Sequence, residues 1–220
     1  MEAPGITPLV TLFAASFAIA FSGALMPGPL LTATIAASAR RGPSAGPLII
    51  AGHAVLESGL LVALMLGLSP ILARDGVFTG ISFLGGAVLA WMAAGMFRSL
   101  SSLTVPQTQQ KGGGNRLVWT GVAMSLSNPY WTIWWATIGL GAILQARRFG
   151  AAGVAAFFSG HILADLGWYS LVSFAVGKGK RFFSDRVYRR LVAVLAALML
   201  VFAAAFIFAG AVRLRGMIQS

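Results

Sequence analysis

The sequence predicts an all-α membrane protein with six transmembrane helices, arranged as two inverted three-helix repeats in which the first helix of each half is broken at a proline. Three observations support this fold class. The 220 residues are 58% hydrophobic and only 10% charged, with a mean hydropathy of +0.85, which is far from the composition of a water-soluble domain. Six apolar segments are each long enough to cross a bilayer, which takes roughly 20 residues. Proline interrupts the first and the fourth segment at matching places.

The first half of the chain, residues 1–100, contains three of these segments. They run from Pro8 to Ala39, from Ser44 to Leu68 and from Phe78 to Leu100. Because proline removes a backbone N–H group and clashes with the preceding turn, Pro27-Gly28-Pro29 should end the first helix near Met26 and start a second piece. No basic residue precedes the first segment, so we expect a retained helix rather than a signal peptide.

The second half, residues 116–220, repeats this plan after a loop at residues 101–115. Pro, Gly, Ser and Gln dominate that loop, a composition typical of a flexible surface connection. The three segments of the second half run from Leu117 to Gln145, from Ala151 to Val176 and from Val187 to Val212. The fourth segment is interrupted at Asn128-Pro129, so we expect a second broken helix there.

The second segment of each half carries the same short motif, G-H-x-x-x-[E/D]-x-G. It begins at Gly52 in the first half and at Gly160 in the second, so the chain contains an internal repeat. Three helices per half is an odd number, and the second half must therefore enter the membrane from the opposite side. Inverted repeats of this kind are common in secondary transporters.

The distribution of Lys and Arg predicts the orientation in the membrane. The side of loops 1–2, 3–4 and 5–6 carries eleven of them: Arg40, Arg41, Arg98, Lys111, Arg116, Lys178, Lys180, Arg181, Arg186, Arg189 and Arg190. The other side carries five: Arg74, Arg147, Arg148, Arg213 and Arg215. By the positive-inside rule, both termini lie outside and the 178–190 loop lies in the cytoplasm of a bacterial cell, beneath its inner membrane. Anionic lipid headgroups, rather than nucleic acid, account for the net charge of +11.

Two carboxylates and two histidines lie inside apolar segments and need a physical reason. Glu57 and Asp165 are placed in the second and fifth segments, whereas the other three acids lie at the terminus or in loops. A carboxylate at the bilayer centre costs about 2.5–3.5 kcal/mol on insertion scales, so it normally faces a bundle interior or a cavity. His53 and His161 each precede one of these acids by four residues, which places each pair on one helix face. We expect these four residues to couple transport to the movement of protons. The alternative is that each histidine only forms a hydrogen bond with its acid, which makes burial of the acid tolerable.

The two helix breaks are the second candidate site. The half-helix that restarts after each proline offers unpaired amides and the positive end of its dipole, which suits the carboxylate of a substrate. The candidate substrate-binding residues are Pro27, Gly28, Pro29, Glu57, Asn128, Pro129, Trp131 and Asp165. Trp131 could stack on a substrate ammonium or could simply pack. The alternative for each break is a proline kink satisfied by neighbouring helices.

The motifs resemble those of the lysine exporter (LysE/RhtB-type) family of amino-acid exporters. The resemblance covers essentially the whole chain, and its motifs are Pro27-Gly28-Pro29, Arg41-Gly42-x-x-x-Gly46, Gly52 with Glu57, Asn128-Pro129, and Gly160 with Asp165 and Trp168. It implies six hydrophobic segments, inverted three-helix halves and export driven by the proton gradient. The chain departs from the family pattern in having His at positions 53 and 161. It also has Glu at position 57, where the family more usually has Asp.

Together these features predict a proton-coupled antiporter that exports amino acids or related small metabolites, by a rocking of one half against the other. A divalent-metal exporter is the alternative, because two histidines and two carboxylates form a credible ligand set. A membrane-embedded enzyme or a scaffold is less consistent with the paired intramembrane acids. We expect no catalytic residue, no cofactor and no resident metal. The expected partners are the substrate, protons, anionic lipids and, through the alanine-rich last helix, a second copy of the chain.

Overall fold

A computed structural model describes residues 5–72, 74–104, 113–179 and 184–219, and every regular element in these ranges is helical. The helices of the first half are α1 (Ile6–Ala24), α2 (Pro29–Arg41), α3 (Ala45–Ala63), α4 (Ser69–Leu72) and α5 (Asp75–Ser99). Those of the second half are α6 (Gly114–Leu126), α7 (Pro129–Trp134), α8 (Leu140–Ala146), α9 (Gly150–Gly179) and α10 (Asp185–Gln219). Single π-helical turns, Leu64–Leu68 and Trp135–Gly139, follow α3 and α7. The all-α fold class is confirmed.

Both breaks occur where the prolines are. Helix α1 ends at Ala24, and α2 begins at Pro29 with Gly28 as its extended N-cap. Helix α6 ends at Leu126, and α7 begins at Pro129 with Asn128 as its N-cap. Proline suits the first position of a helix because its missing N–H would have no intrahelical partner there.

Five stretches of the described residues are long and apolar enough to cross a membrane. They are Ile6–Ala24, Ala45–Leu68, Asp75–Ser102, Pro129–Gly179 and Asp185–Gln219. The fourth contains 51 residues, about twice the length that one crossing needs, and it turns at Gly150, whose φ is +64°. The chain is therefore a multi-pass membrane protein.

The helices of the two halves are interleaved rather than separate. Helix α9 packs along α1, α3 packs along α6, and α5 packs along α10. Glycines permit two of these contacts: a Cβ atom on Gly160 would lie 2.5 Å from the carbonyl oxygen of Phe13, and one on Gly52 would collide with that of Val118. The second spanning helix of each half (α3 or α9) is thus held against the first helix of the other half (α6 or α1).

Several charged positions lie in helices although they were expected in loops or beyond the last span. Asp185 is one of them, because it is the first residue of α10. Asp75 was expected in a loop but is the first residue of α5, where a negative charge is favourable at the positive end of the helix dipole. Arg213 was expected beyond the last span, yet α10 continues to Gln219. The Nη2 atom of Arg213 lies 2.6 Å from Oδ1 of Asp75, an ion pair that joins the ends of α5 and α10.

Parts of two predicted loops lie outside the described residues. Of the 101–115 loop, Leu100–Ser102 forms a 3₁₀ turn and Gly114 already begins α6, while residues 105–112, including Lys111, are not described. Of the 178–190 loop, Lys178 still belongs to α9, and Arg186, Arg189 and Arg190 lie in the first turns of α10. Lys180 and Arg181 are outside the described ranges.

Candidate functional site

The four buried titratable residues predicted as two separate pairs form one group. His53 and Glu57 project from α3, and His161 and Asp165 from α9, and all four are buried, with Glu57 only 1% exposed. We refer to these four residues as the His–carboxylate cluster. Its ligating atoms lie within 4.8 Å of one another.

The contacts inside the cluster cross between the helices. The Nε2 atom of His53 lies 3.1 Å from Oε1 of Glu57 and 3.6 Å from Oδ2 of Asp165. The Nε2 atom of His161 lies 3.1 Å from Oε2 of Glu57 and 3.4 Å from Oδ2 of Asp165. Each histidine therefore contacts both acids, because α3 and α9 approach closely at this level.

A glycine and a serine hold α3 against α9. A Cβ atom on Gly46 would collide with the backbone of Tyr169, and the amide of Gly46 donates a 2.9 Å hydrogen bond to Oγ of Ser173. The hydroxyls of Ser173 and Ser38 lie 2.8 Å apart, which ties α2 into the same contact. The small residue at position 46 is thus needed to bring the acids of the two helices together.

Two tryptophans support Glu57. The indole Nε1 groups of Trp131 and Trp135 donate hydrogen bonds of 2.8 and 2.7 Å to Oε1 of Glu57. Trp131 was predicted at the site, but its described contact is with the carboxylate, and Trp135 was missed although it is completely buried. The spacing of four residues from Trp131, which places both indoles on one helix face, was the available signal.

A serine on α6 fixes the orientation of His53. Oγ of Ser125 donates to the carbonyl oxygen of Gly121 at 2.7 Å and lies 2.7 Å from Nδ1 of His53. Since the only hydroxyl hydrogen is used on Gly121, Ser125 accepts from an Nδ1–H group. With Nδ1 protonated, the Nε2 atom faces two carboxyl groups, so a further proton is required on Nε2 or on one of those groups.

A cavity adjoins the cluster and reaches both helix breaks. Its volume is about 40 Å³, which is enough for roughly three waters. Leu30, in the first turn after the first break, and Asn128, at the second, line it together with all four cluster residues and Trp131. Among the described residues that line the cavity, none is Lys or Arg.

The prolines and glycine of the breaks are not among the residues that line the cavity. Pro29 is fully buried in the core, and Pro129 packs against Gly85 of α5. Gly28 lies beside Asn128: a Cβ atom on it would be 3.5 Å from Nδ2 of Asn128, so the two breaks face each other. Oδ1 of Asn128 accepts a 3.2 Å hydrogen bond from the amide of Tyr130, which occupies one amide expected to bind a substrate carboxylate.

A family model described as LysE type translocator matches residues 21–210 of the chain. Comparison with curated proteins and with solved structures gave no match. The matched range includes both helix breaks and the His–carboxylate cluster, and the resemblance seen in the sequence motifs is confirmed. The chain therefore belongs to the LysE type translocator family, a family of membrane transporters.

Proposed function

We propose that the chain is a secondary transporter that exports amino acids or related small metabolites across the bacterial cytoplasmic membrane in exchange for protons. The observation that carries this proposal is the buried His–carboxylate cluster, which borders a cavity reached by both helix breaks. Ionisable groups at membrane depth mark substrate and proton pathways. Helices broken near the midplane are the usual location of a transporter's binding site.

The charges around the cavity favour a substrate with an ammonium group. Glu57 and Asp165 supply two carboxylates, and no Lys or Arg lines the described cavity. An ammonium group and the cluster protons would compete for the same carboxylate oxygens. Binding of the substrate from the cytoplasm then releases a proton, and protonation from outside releases the substrate, which is the coupling that an exchanger requires.

The carboxylate of the substrate is proposed to bind at the helix breaks. The first turn of α2 begins at Pro29 and places Leu30 against the cavity, where unpaired amides favour an anion. At the second break the amide of Tyr130 is bound by Asn128. We propose that Asn128 yields this amide to the substrate, or itself donates to the carboxylate through its side-chain NH₂ group.

The interleaved packing suggests which parts move. A rocking of the first half of the sequence against the second would break the close contacts of Gly52 and Gly160 with the opposite half. We propose instead that α1 with α9, and α3 with α6, are the two moving units of an inverted repeat, so that the close contact of Gly46 on α3 with Tyr169 on α9 opens during the cycle. The cluster lies on the boundary between them, because its residues come from α3 and α9. Its protonation would then decide whether the units stay together.

The first experiment is transport into everted membrane vesicles with an imposed proton gradient, screening labelled amino acids. The gradient should drive accumulation of at least one of them by the parent, and Glu57→Gln and Asp165→Asn should abolish it. Asp75→Asn is the matched control, since Asp75 is 49% exposed and pairs only with Arg213 among the contacts described. If no amino acid moves, or if both cluster variants transport like the parent, the proposal is wrong.

Divalent-metal export is the second candidate, supported by the four metal-ligating side chains of the cluster. The same vesicles distinguish the two functions, because only a metal exporter accumulates labelled Zn²⁺ or Mn²⁺ in response to the gradient.

The proposed topology has six spans with both termini outside. The chain contains no cysteine, so single cysteines can be placed near each terminus and tested for reaction with an impermeant thiol reagent.

A further inference from the structure

The His–carboxylate cluster has the composition of a transition-metal site. Two imidazoles and two carboxylates, all buried, present one ligand atom each within 4.8 Å of one another. Imidazole nitrogen with carboxylate oxygen suits zinc and its neighbours in the first transition series. Calcium and magnesium prefer oxygen ligands in higher coordination numbers, so they fit this set poorly.

Several distances between the ligand atoms are close to those around one tetrahedral ion, and all of them are within 4.8 Å. A regular tetrahedron with metal–ligand bonds of roughly 2.0–2.1 Å has edges of about 3.3–3.4 Å. The Nε2 atom of His161 lies 3.1 Å from Oε2 of Glu57 and 3.4 Å from Oδ2 of Asp165. The Nε2 atom of His53 lies 3.6 Å from the same Oδ2 atom. Three of the six edges are therefore close to the tetrahedral length before any side chain moves.

Two ligand atoms lack a hydrogen bond. Within the described part of the chain, Oε2 of Glu57 and Oδ2 of Asp165 are buried without a hydrogen-bond partner. Buried carboxylate oxygens are costly when they are left unsatisfied. Both oxygens lie on the side where the imidazole nitrogens converge, within 3.1 and 3.4 Å of Nε2 of His161. A cation between these atoms would satisfy both oxygens.

The surrounding groups hold the ligands in place. Ser125 accepts from Nδ1–H of His53 and so presents Nε2 to the cluster, which is the outer contact that metal-bound histidines usually make. Trp131 and Trp135 hold Oε1 of Glu57 and leave Oε2 available. With both imidazoles neutral and both acids ionised, the cluster carries two negative charges, which one divalent ion neutralises.

We propose that His53, Glu57, His161 and Asp165 bind one divalent transition-metal ion in tetrahedral geometry, with Zn²⁺ as the preferred ion. The ion occupies the place proposed for the substrate ammonium and the cluster protons. Binding displaces those protons, since neutral imidazole and ionised carboxylate are the forms that bind metal. Zn²⁺ therefore competes with the transported amine, whether or not the ion is itself carried.

The test is metal binding by the purified full-length chain in detergent, after treatment with a chelator. Titration calorimetry with Zn²⁺ should give one ion per chain, and Co²⁺ should give the intense visible absorption of a tetrahedral site. Glu57→Gln and His161→Gln should weaken binding by more than 100-fold. Ser125→Ala should weaken it by 10–100-fold, the usual effect of losing an outer contact. Asp75→Asn should bind like the parent.

Several outcomes would overturn the proposal. The proposal is wrong if the parent binds Zn²⁺ no more tightly than the His161→Gln variant. It is also wrong if the parent does not bind one ion per chain, or if bound Co²⁺ gives the weak absorption of an octahedral site. If Glu57→Gln does not fold, Ser125→Ala still decides, because loss of its outer contact leaves all four ligands present. Amino-acid transport is measured separately in chelator-treated vesicles, so a failure of the metal site and a failure of the proposed export are distinguishable.

Discussion

Replacement of Trp135 by phenylalanine, compared with the same replacement of its neighbour Trp134, provides the sharpest test of the role of Glu57. Trp135→Phe removes the Nε1–H group that donates a 2.7 Å hydrogen bond to the buried carboxylate of Glu57. A hydrogen bond to a charged group contributes about 1.5–3 kcal/mol, which corresponds to a change in affinity of roughly 10–100-fold. Because Trp131 also donates to the same oxygen, we expect the lower part of this range.

Trp134→Phe is the matched control. Trp134 is the preceding residue and is also buried, but its Nε1 donates a 3.1 Å hydrogen bond to the hydroxyl of Ser22, a neutral acceptor. Neutral hydrogen bonds contribute about 0.5–1.5 kcal/mol, so we expect a smaller loss, below about 10-fold. The two substitutions remove the same atoms, and both leave a similar void.

The assay is the concentration dependence of gradient-driven uptake in vesicles, with the amino acid that the screen identifies. The substrate concentration for half-maximal uptake should rise about 10-fold or more for Trp135→Phe and less for Trp134→Phe. Thermal unfolding of both purified variants checks that they are folded. Uptake by Trp135→Phe that matches the parent, or a greater loss for Trp134→Phe, would refute the role given to Glu57.

Four further substitutions test the fold around the site. Gly160→Ala places a Cβ atom 2.5 Å from a backbone oxygen of α1 and should lower the unfolding temperature clearly. Gly167→Ala meets no atom within 4 Å and should be neutral or stabilising by up to about 1 kcal/mol, so equal effects would contradict the packing. Asp75→Asn breaks an exposed ion pair and should cost no more than about 1 kcal/mol in denaturant unfolding. Asn128→Ala removes the N-cap of α7 and should destabilise by about 0.5–2 kcal/mol; no change would indicate that water replaces the cap.

Local sequence patterns predicted the helix breaks correctly, and the two acids predicted to face the interior of the bundle are buried. Proline acts through its own backbone, so Pro29 and Pro129 could be placed at helix starts without knowledge of the rest of the chain. The cost of a charge in hydrocarbon likewise identified Glu57 and Asp165 from their apolar surroundings.

Features that depend on how the helices cross could not be obtained in this way. Periodicity along α3 and α9 predicts a His–acid pair on each helix, but their union depends on the close approach at Gly46, which joins residues more than 120 positions apart. The role of Trp135 depends on the π-helical turn after α7, which brings its indole to Glu57 of α3. The interleaving of the halves also cannot be predicted from local sequence. A glycine such as Gly52 indicates that another helix packs closely there, but not which helix it is.

The central claim is that the His–carboxylate cluster gives up a proton when the substrate binds. The most direct measurement is the pH change on adding the transported amino acid to purified protein in a weakly buffered solution. We expect proton release by the parent that saturates with substrate binding, and none from the Glu57→Gln, Asp165→Asn double variant. Substrate binding by the parent without proton release would contradict the account.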